Sequence, residues 1–402
     1  MSDELVGTGR SGDAIHANLV MGDGETQDFN NVARYWLENG TMTFDAALEK
    51  LDAEVAERAD INDKLADCVV GIEDGKIKVG VDGVNYVPTP HALRQLATWC
   101  DTPHTLINWY SGDKLKQNGN VLFNRDEKDM ELIVLALRNG LRRVDEDKDM
   151  LFRTYKDGTL RAVLSDRYAI IDNRWYLETL KELLPGGRVS HWNGNADTIY
   201  GNVLIPDTIR KEHDSDYGGM LSIGNCEIGL RRLFQYPSVF RAICMNGCIW
   251  DHKKGERTTK VHRGKIDLAD LRCSILDNLN KQIPLLQSGV DRFLALRSRE
   301  IPVDTKLSHV FAFIGKENGF SNEQIKSAGE LWLQEEKGDR NAFGVINAIT
   351  RAGQKFDPET WFAFDNVAGN LMNMTDNQWS GLLSNAATMD DEKVSKMFAV
   401  AV

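Results

Sequence analysis

The sequence predicts an α+β protein: a central antiparallel sheet with hairpins and flanking helices, followed by a mainly helical C-terminal region. Three observations predict it. Short β-prone runs separated by turn residues fill the middle of the chain, as in residues 153–173, RTYKDGTLRAVLSDRYAIIDN. Segments with apolar residues at helical spacing interrupt those runs. After Lys265 the strand-like texture gives way to one helical stretch after another.

Residues 1–30 are rich in Gly, Asp, Ser and Asn without periodicity, which is the composition of a mobile segment. Residues 43–59 (TFDAALEKLDAEVAERA) read as an amphipathic helix capped by Thr43. Residues 68–87 read as two strands with Asp74-Gly75 as their turn, and residues 91–100 as a helix opened by Thr89-Pro90. Residues 123–139 and 175–184 are further amphipathic helices. In the hairpin of residues 152–164, Asp157-Gly158 tolerates the positive φ of a tight turn. Residues 198–205 and 219–223 return to strand pattern, and residues 238–250 are mostly apolar with Asn246-Gly247 as a turn signal. Residues 266–300 and several segments of 304–402 are helical. The expected organisation is therefore an acidic, partly disordered segment with one helix (1–60), an α+β core (61–265) and a helical region (266–402).

The bulk composition is that of a soluble globular chain: 402 residues, 42% hydrophobic and 27% charged. No apolar run approaches the ~18 residues of a membrane span, so no membrane partner is expected. The N-terminus lacks a basic region followed by an apolar one, and six cysteines without such a signal read as reduced thiols, so cytoplasm is the expected compartment. The net charge of -12 excludes a uniformly basic nucleic-acid binder but hides a contrast. Residues 1–60 hold 13 acidic and 4 basic side chains, whereas residues 231–265 hold 9 basic and 2 acidic ones. A local basic stretch reads either as a solvated loop or as the footprint of a polyanion partner.

The familiar catalytic signatures are missing. There is no GxxxxGK[ST], HExxH, GxSxG or strand-linked GxGxxG, and no cofactor is expected. Cys244 and Cys248, with His252 and His262 downstream, come nearest to a metal pattern. The histidines fall outside common finger spacing and Cys244 sits in an apolar run, so burial is the favoured reading. Acidic clusters at Asp126, Glu127, Asp129 and Glu131, and at Asp145, Glu146, Asp147 and Asp149, suit either solvated helix ends or the paired metal ions of a nuclease.

The basic and aromatic constellation is richer. Arg153, Lys156, Arg161 and Arg167 lie on or beside the hairpin, and Arg231, Arg232, Tyr236 and Arg241 follow in the next strand region. Lys253, Lys254, Arg257, Lys260 and Arg263 complete the basic stretch. Guanidinium and ammonium groups neutralise phosphates while exposed rings stack bases.

These residues carry a resemblance. Residues 153–173, with their Arg, Gly, Arg-Ala, Ser, Tyr and Ile-Asp-Asn, resemble the signature of the phage/plasmid-like protein family, a domain of unknown function. Residues 91–97 followed by Asp101-Thr102-Pro103, residues 222–229, residues 241–247, His262-Arg263-Gly264 and residues 347–351 resemble further blocks of that family in the same order. The likeness spans roughly residues 85–370. Asn225-Cys226 departs from it where the family often has Asn-Ser, which weakens a hydroxyl role there.

The resemblance implies a phage or mobile-element origin and a mixed α+β fold. By fold-level analogy alone it points to the oligomeric single-strand annealing proteins of phage recombination. The function expected is single-stranded DNA binding or annealing by a homo-oligomer, with the acidic N-terminus filling the groove or recruiting a phage or host protein. The alternatives are a metal-dependent nuclease and a structural or host-interaction protein.

Overall fold

The computed structural model describes residues 40–55, 58–111, 116–117, 120–121, 127–194, 197–212, 216–241, 246–249, 258–336 and 339–398. The fold is α+β, as the sequence predicts. In chain order, β1 (Thr41–Met42) and α1 (Phe44–Val55) precede β2 (Arg58–Lys64), β3 (Val69–Glu73), β4 (Lys76–Val81) and β5 (Val84–Pro88). Helices α2 (Pro90–Trp99) and α3 (His104–Ser111), a ribbon of β6 (Lys116–Gln117) and β7 (Asn120–Val121), and α4 (Glu127–Leu141) come next. The hairpin of β8 (Asp149–Tyr155) and β9 (Thr159–Ser165) leads through α5 (Asn173–Leu183) to β10 (Arg188–Gly194) and β11 (Thr198–Leu204). Then follow β12 (Arg210–Lys211), β13 (Asp216–Cys226), β14 (Leu233–Arg241), β15 (Asn246–Ile249) and β16 (Thr258–Lys260). The helical region comprises α6 (Leu268–Ala295), α7 (Leu307–Glu317), α8 (Asn322–Leu331), α9 (Ala342–Gly353), α10 (Pro358–Met372), α11 (Asp376–Ala387) and α12 (Asp391–Phe398).

Two sheets organise these elements. The larger is antiparallel with the order β1-β10-β11-β13-β14-β15, β12 pairing with β13 and β16 with β14. The smaller runs β2-β8-β9-β5-β4-β3, and only its β5–β9 pair is parallel. Strands β13 and β14 are buried at every position, because helices cover both faces of the larger sheet. Leu221, Ile223 and Leu233 pack with α1, α5 and the first half of α6. The opposite face carries Tyr200, Phe234 and Tyr236 against Trp361 and Phe362 of α10. The smaller sheet packs Val70, Val79, Phe152 and Val163 against α2 and α4.

Several local expectations shift. The helix predicted over residues 43–59 ends at Val55, and Arg58 already starts a strand. Residues 68–87 hold three strands rather than two, because Asp82-Gly83 makes a second tight turn with φ of 48° and 73°. Asn246-Gly247 is not a turn: Asn246 pairs with Arg241 and Gly247 with Phe240 in the β14–β15 ladder. The β8–β9 hairpin stands as expected, with Gly158 at φ 88°. Its register shifts beside Arg153, where Thr154 faces Leu160 and Arg153 faces Ala162, leaving Arg161 as the extra residue of a bulge. That bulge brings Leu160 and Val163, three residues apart, into one core.

The predicted helical region does not stand apart from the sheet. Tyr217 and Val239 of the larger sheet share one core with Phe293, Phe343 and Ile346. Arg241 is ion-paired with Glu336 at 2.8 Å, and the Tyr200 hydroxyl donates to Asp365 at 2.9 Å. Burial raises the Asp365 carboxyl well above the usual carboxylate range, against the hydrogen bonds from Tyr200 and Trp361 that lower it. No described helix is long and apolar enough to cross a membrane.

Candidate functional site

Where the two sheets meet, Glu227 follows β13 with no solvent exposure at all. An isolated buried carboxylate is costly, and here three arginines from the smaller sheet compensate it. Arg58 pairs with Glu227 Oε2, Arg161 Nη2 lies 3.2 Å from the same oxygen, and Arg153 Nη1 lies 3.5 Å from it. The other oxygen, Oε1, accepts the Asn173 main-chain N–H at 2.7 Å. Asn173 opens α5, so the carboxylate also meets the positive end of a helix. Asp172, the residue before it, makes no side-chain cap and instead takes Arg153 at 3.2 Å.

Outer acids complete the assembly. Arg153 grips Asp60 through two bonds, at 2.9 and 3.2 Å. Arg161 Nε lies 2.7 Å from Asp197, which also accepts the Tyr155 hydroxyl at 3.1 Å. Burial opposes the charge of Arg153, but Glu227, Asp60 and Asp172 outweigh it and raise its pKa. This assembly overturns part of the sequence reading. Arg153, Arg161 and Arg241 are 3%, 0% and 8% exposed, and all three neutralise internal carboxylates, so none of them tracks a phosphate. Tyr236, expected to stack bases, is buried in a cluster with Phe234 and Phe362.

The remaining described cations divide. Lys156 is exposed at the β8–β9 turn. Lys260 is half-buried at the end of β16. Arg167, Arg231, Arg232 and Arg263 instead all line one open cleft of about 1130 Å³, Arg231 with one guanidinium nitrogen buried. Three segments deliver them. The end of β9 runs into Asp166 and Arg167, and the β13–β14 turn carries Leu230, Arg231 and Arg232. Gly229 sits in that turn at φ 81°, a conformation that favours glycine. The third segment, after β16, supplies Val261, His262 and Arg263. A bond from the Gly264 N–H to the Arg167 carbonyl at 2.8 Å holds the first and third segments together.

The cleft also has rings and acids. His262 stacks on Tyr168 with centroids 5.1 Å apart and planes 12° from parallel. Trp99, from the end of α2, lines it as well. Asp145 and Asp147 of the α4–β8 loop and Asp149 at the start of β8 enter beside Lys148, and Lys64 pairs with Asp147 at 2.8 Å. Leu230 and Val261 are more than half exposed at this site.

A polar chain runs from the cleft to Glu227. His262 Nε2 lies 2.9 Å from Asn225 Oδ1, and Nδ1 lies 3.1 Å from the Ala169 carbonyl. The Asn225 amide nitrogen donates to Ile171 O and to Asn173 Oδ1, which turns its oxygen toward the histidine. Two acceptors favour the doubly protonated ring. Burial works the other way and, with Arg153 nearby, pushes His262 down to about 4, against the pull of Ala169 and Asp172. With the ring only 7% exposed, burial prevails and the ring is neutral near pH 7.

The metal readings find little. Among the described residues no three His, Cys, Asp or Glu side chains form a metal-binding group. Cys244 and His252 lie outside the described residues, as do Lys253, Lys254 and Arg257 and the acidic segment of residues 1–39; Cys248 pairs with Val239 in the sheet. Burial pushes the Cys68 and Cys100 thiols up to about 12 and about 11, so neither is a ready nucleophile. Sequence reasoning missed Glu227, whose partners lie 66 and 74 residues away, and Trp99, which reads as one more apolar residue of a helix.

Comparisons of the chain with protein-family models, with curated proteins and with solved structures each return no match.

Proposed function

We propose that this protein binds single-stranded nucleic acid along the cleft and holds it for annealing in recombination or replication of a phage or mobile element. One observation carries the reading: Arg167, Arg231, Arg232 and Arg263, from three separate segments, line one open cleft together with Tyr168 and Trp99. Guanidinium groups supply sequence-independent affinity for phosphates, and rings supply affinity for unpaired bases. A strand held by its phosphates keeps its base edges free to pair, which an annealing protein requires. Asp145, Asp147 and Asp149 set a polarity on the site, leaving Lys148 as the cation of that segment while the arginine-bearing segments attract phosphate more strongly. Assembly into a homo-oligomer belongs to the same proposal, since several clefts in series would hold a longer strand.

The test is binding of a fluorescently labelled single-stranded oligonucleotide across a salt series. The expected result is binding at low salt that weakens steeply and log-linearly as salt rises. Absence of binding at low salt, or binding that ignores salt, refutes the proposal.

A further inference from the structure

Trp99 has the features of a prepared platform. It closes α2, a helix opened by the Thr89 side chain accepting the Ala92 N–H at 3.1 Å and by Pro90 in its first turn. Its indole Nε1 donates to the Val163 carbonyl of β9 at 3.1 Å. That bond satisfies the only polar atom of the ring and fixes its plane against the sheet. The ring is half-buried and lines the same cleft as Arg167, Arg232 and Arg263.

Its face is already in use. The Lys148 ammonium stands 4.1 Å from the ring centroid, a cation–π contact. The main chain of Lys148 is anchored, its carbonyl accepting the Leu65 N–H at 3.0 Å and its N–H donating to Asp145 O at 3.1 Å. The ammonium, by contrast, ends a flexible four-carbon stem that swings without moving the backbone.

We infer that the Trp99 ring is a base-stacking site which Lys148 covers in the free protein and yields when a strand enters. This deepens the proposed function and rests on it. An unpaired base offers the indole a full π-face, and stacking of that kind exceeds an exposed cation–π contact. The displaced ammonium is not stranded, because the phosphate beside the stacked base accepts it. A cationic side chain is thus exchanged from ring to phosphate, and the exchange requires a base that is free of its partner strand. The partner chemistry is therefore an unstacked nucleobase, and duplexes, whose base faces are hidden, are disfavoured.

The experiment compares a single-stranded oligonucleotide with an abasic strand of the same length and phosphate count, at low salt, on the wild-type chain and on Trp99→Phe, Trp99→Ala and Lys148→Met. The wild type is expected to prefer the base-bearing strand by about ten-fold, which Trp99→Ala abolishes and Trp99→Phe partly keeps. Lys148→Met is expected to keep the preference while lowering the salt slope by about one phosphate contact. Equal affinity of the wild type for both strands overturns the stacking site yet leaves the cleft a polyanion site. Full preference in Trp99→Ala overturns it too. Failure of both strands to bind the wild type overturns the proposed function along with it. Should Trp99→Ala fail to fold, the wild-type comparison and Lys148→Met still decide the matter.

Discussion

Arg153 meets Glu227 twice: its Nη1 donates to the Glu227 main-chain carbonyl at 2.9 Å and lies 3.5 Å from the Glu227 carboxylate. One guanidinium thus fixes both the backbone leaving β13 and the charge that follows it. Arg153 belongs to the smaller sheet and Glu227 to the end of a larger-sheet strand, so the contact sets how the two sheets join.

Glu227→Gln should therefore be severely destabilising. The amide keeps the shape but leaves three guanidinium groups around a neutral partner, and breaking a buried ion network from one side costs about 3–5 kcal/mol. Urea unfolding followed by circular dichroism reads this as a lower midpoint. A loss under about 1 kcal/mol, the scale of a surface pair, would show that the outer acids hold the junction without Glu227.

His262 should make the fold sensitive to acid. Its pKa is about 4 in the folded chain and about 6.5 in an unfolded one. As pH falls through that interval the unfolded chain takes up a proton that the folded chain refuses. Stability from this group is then lost between about pH 6.5 and 4, by roughly 3 kcal/mol in all, and does not change further below it. Melting temperatures of wild type and His262→Gln across pH 4–7 check this, since the variant should lack that part of the slope.

Charge reversal at the cleft should separate binding from folding. Arg232 and Arg263 are exposed, so Arg232→Glu with Arg263→Glu should leave stability within about 0.5 kcal/mol per site. Affinity for a single strand should fall more than about ten-fold, with a shallower dependence on salt. Arg153→Gln should behave oppositely, lowering stability first.

Gly140→Ala tests the packing of α4 against the end of α2. A Cβ at Gly140 would lie 2.2 Å from the Cys100 carbonyl oxygen and 2.5 Å from Cys100 Cβ, so α4 would have to move off the end of α2. The better helix propensity of alanine, worth about 1 kcal/mol, should be outweighed, giving a net loss of about 1–3 kcal/mol. A variant as stable as wild type would mean that the two helices part without cost.

Much of the fold was legible because it is local. Thr89-Pro90 opens α2 and Asp157-Gly158 turns the hairpin for reasons held within a few residues. The site was legible only in part. A strand arginine looks the same in sequence whether it faces water or Glu227, since its partner sits on another sheet. Arg167, Arg232 and Arg263 differ from Arg153 and Arg161 in following strands rather than lying inside them, which is the signal that separated exposed cations from buried ones. Tyr236 shows the converse: its ring is no platform because α10, more than a hundred residues later, covers it.

The Tyr200–Asp365 bond has a consequence for where this chain can be cut. It ties the larger sheet to α10, across the point near residue 265 where the sequence changes texture. A chain cut there would leave Tyr200, Phe234 and Tyr236 without the cover of Trp361 and Phe362, a slab of aromatic surface facing water. The sheet and the helical region therefore each need the other to bury that slab.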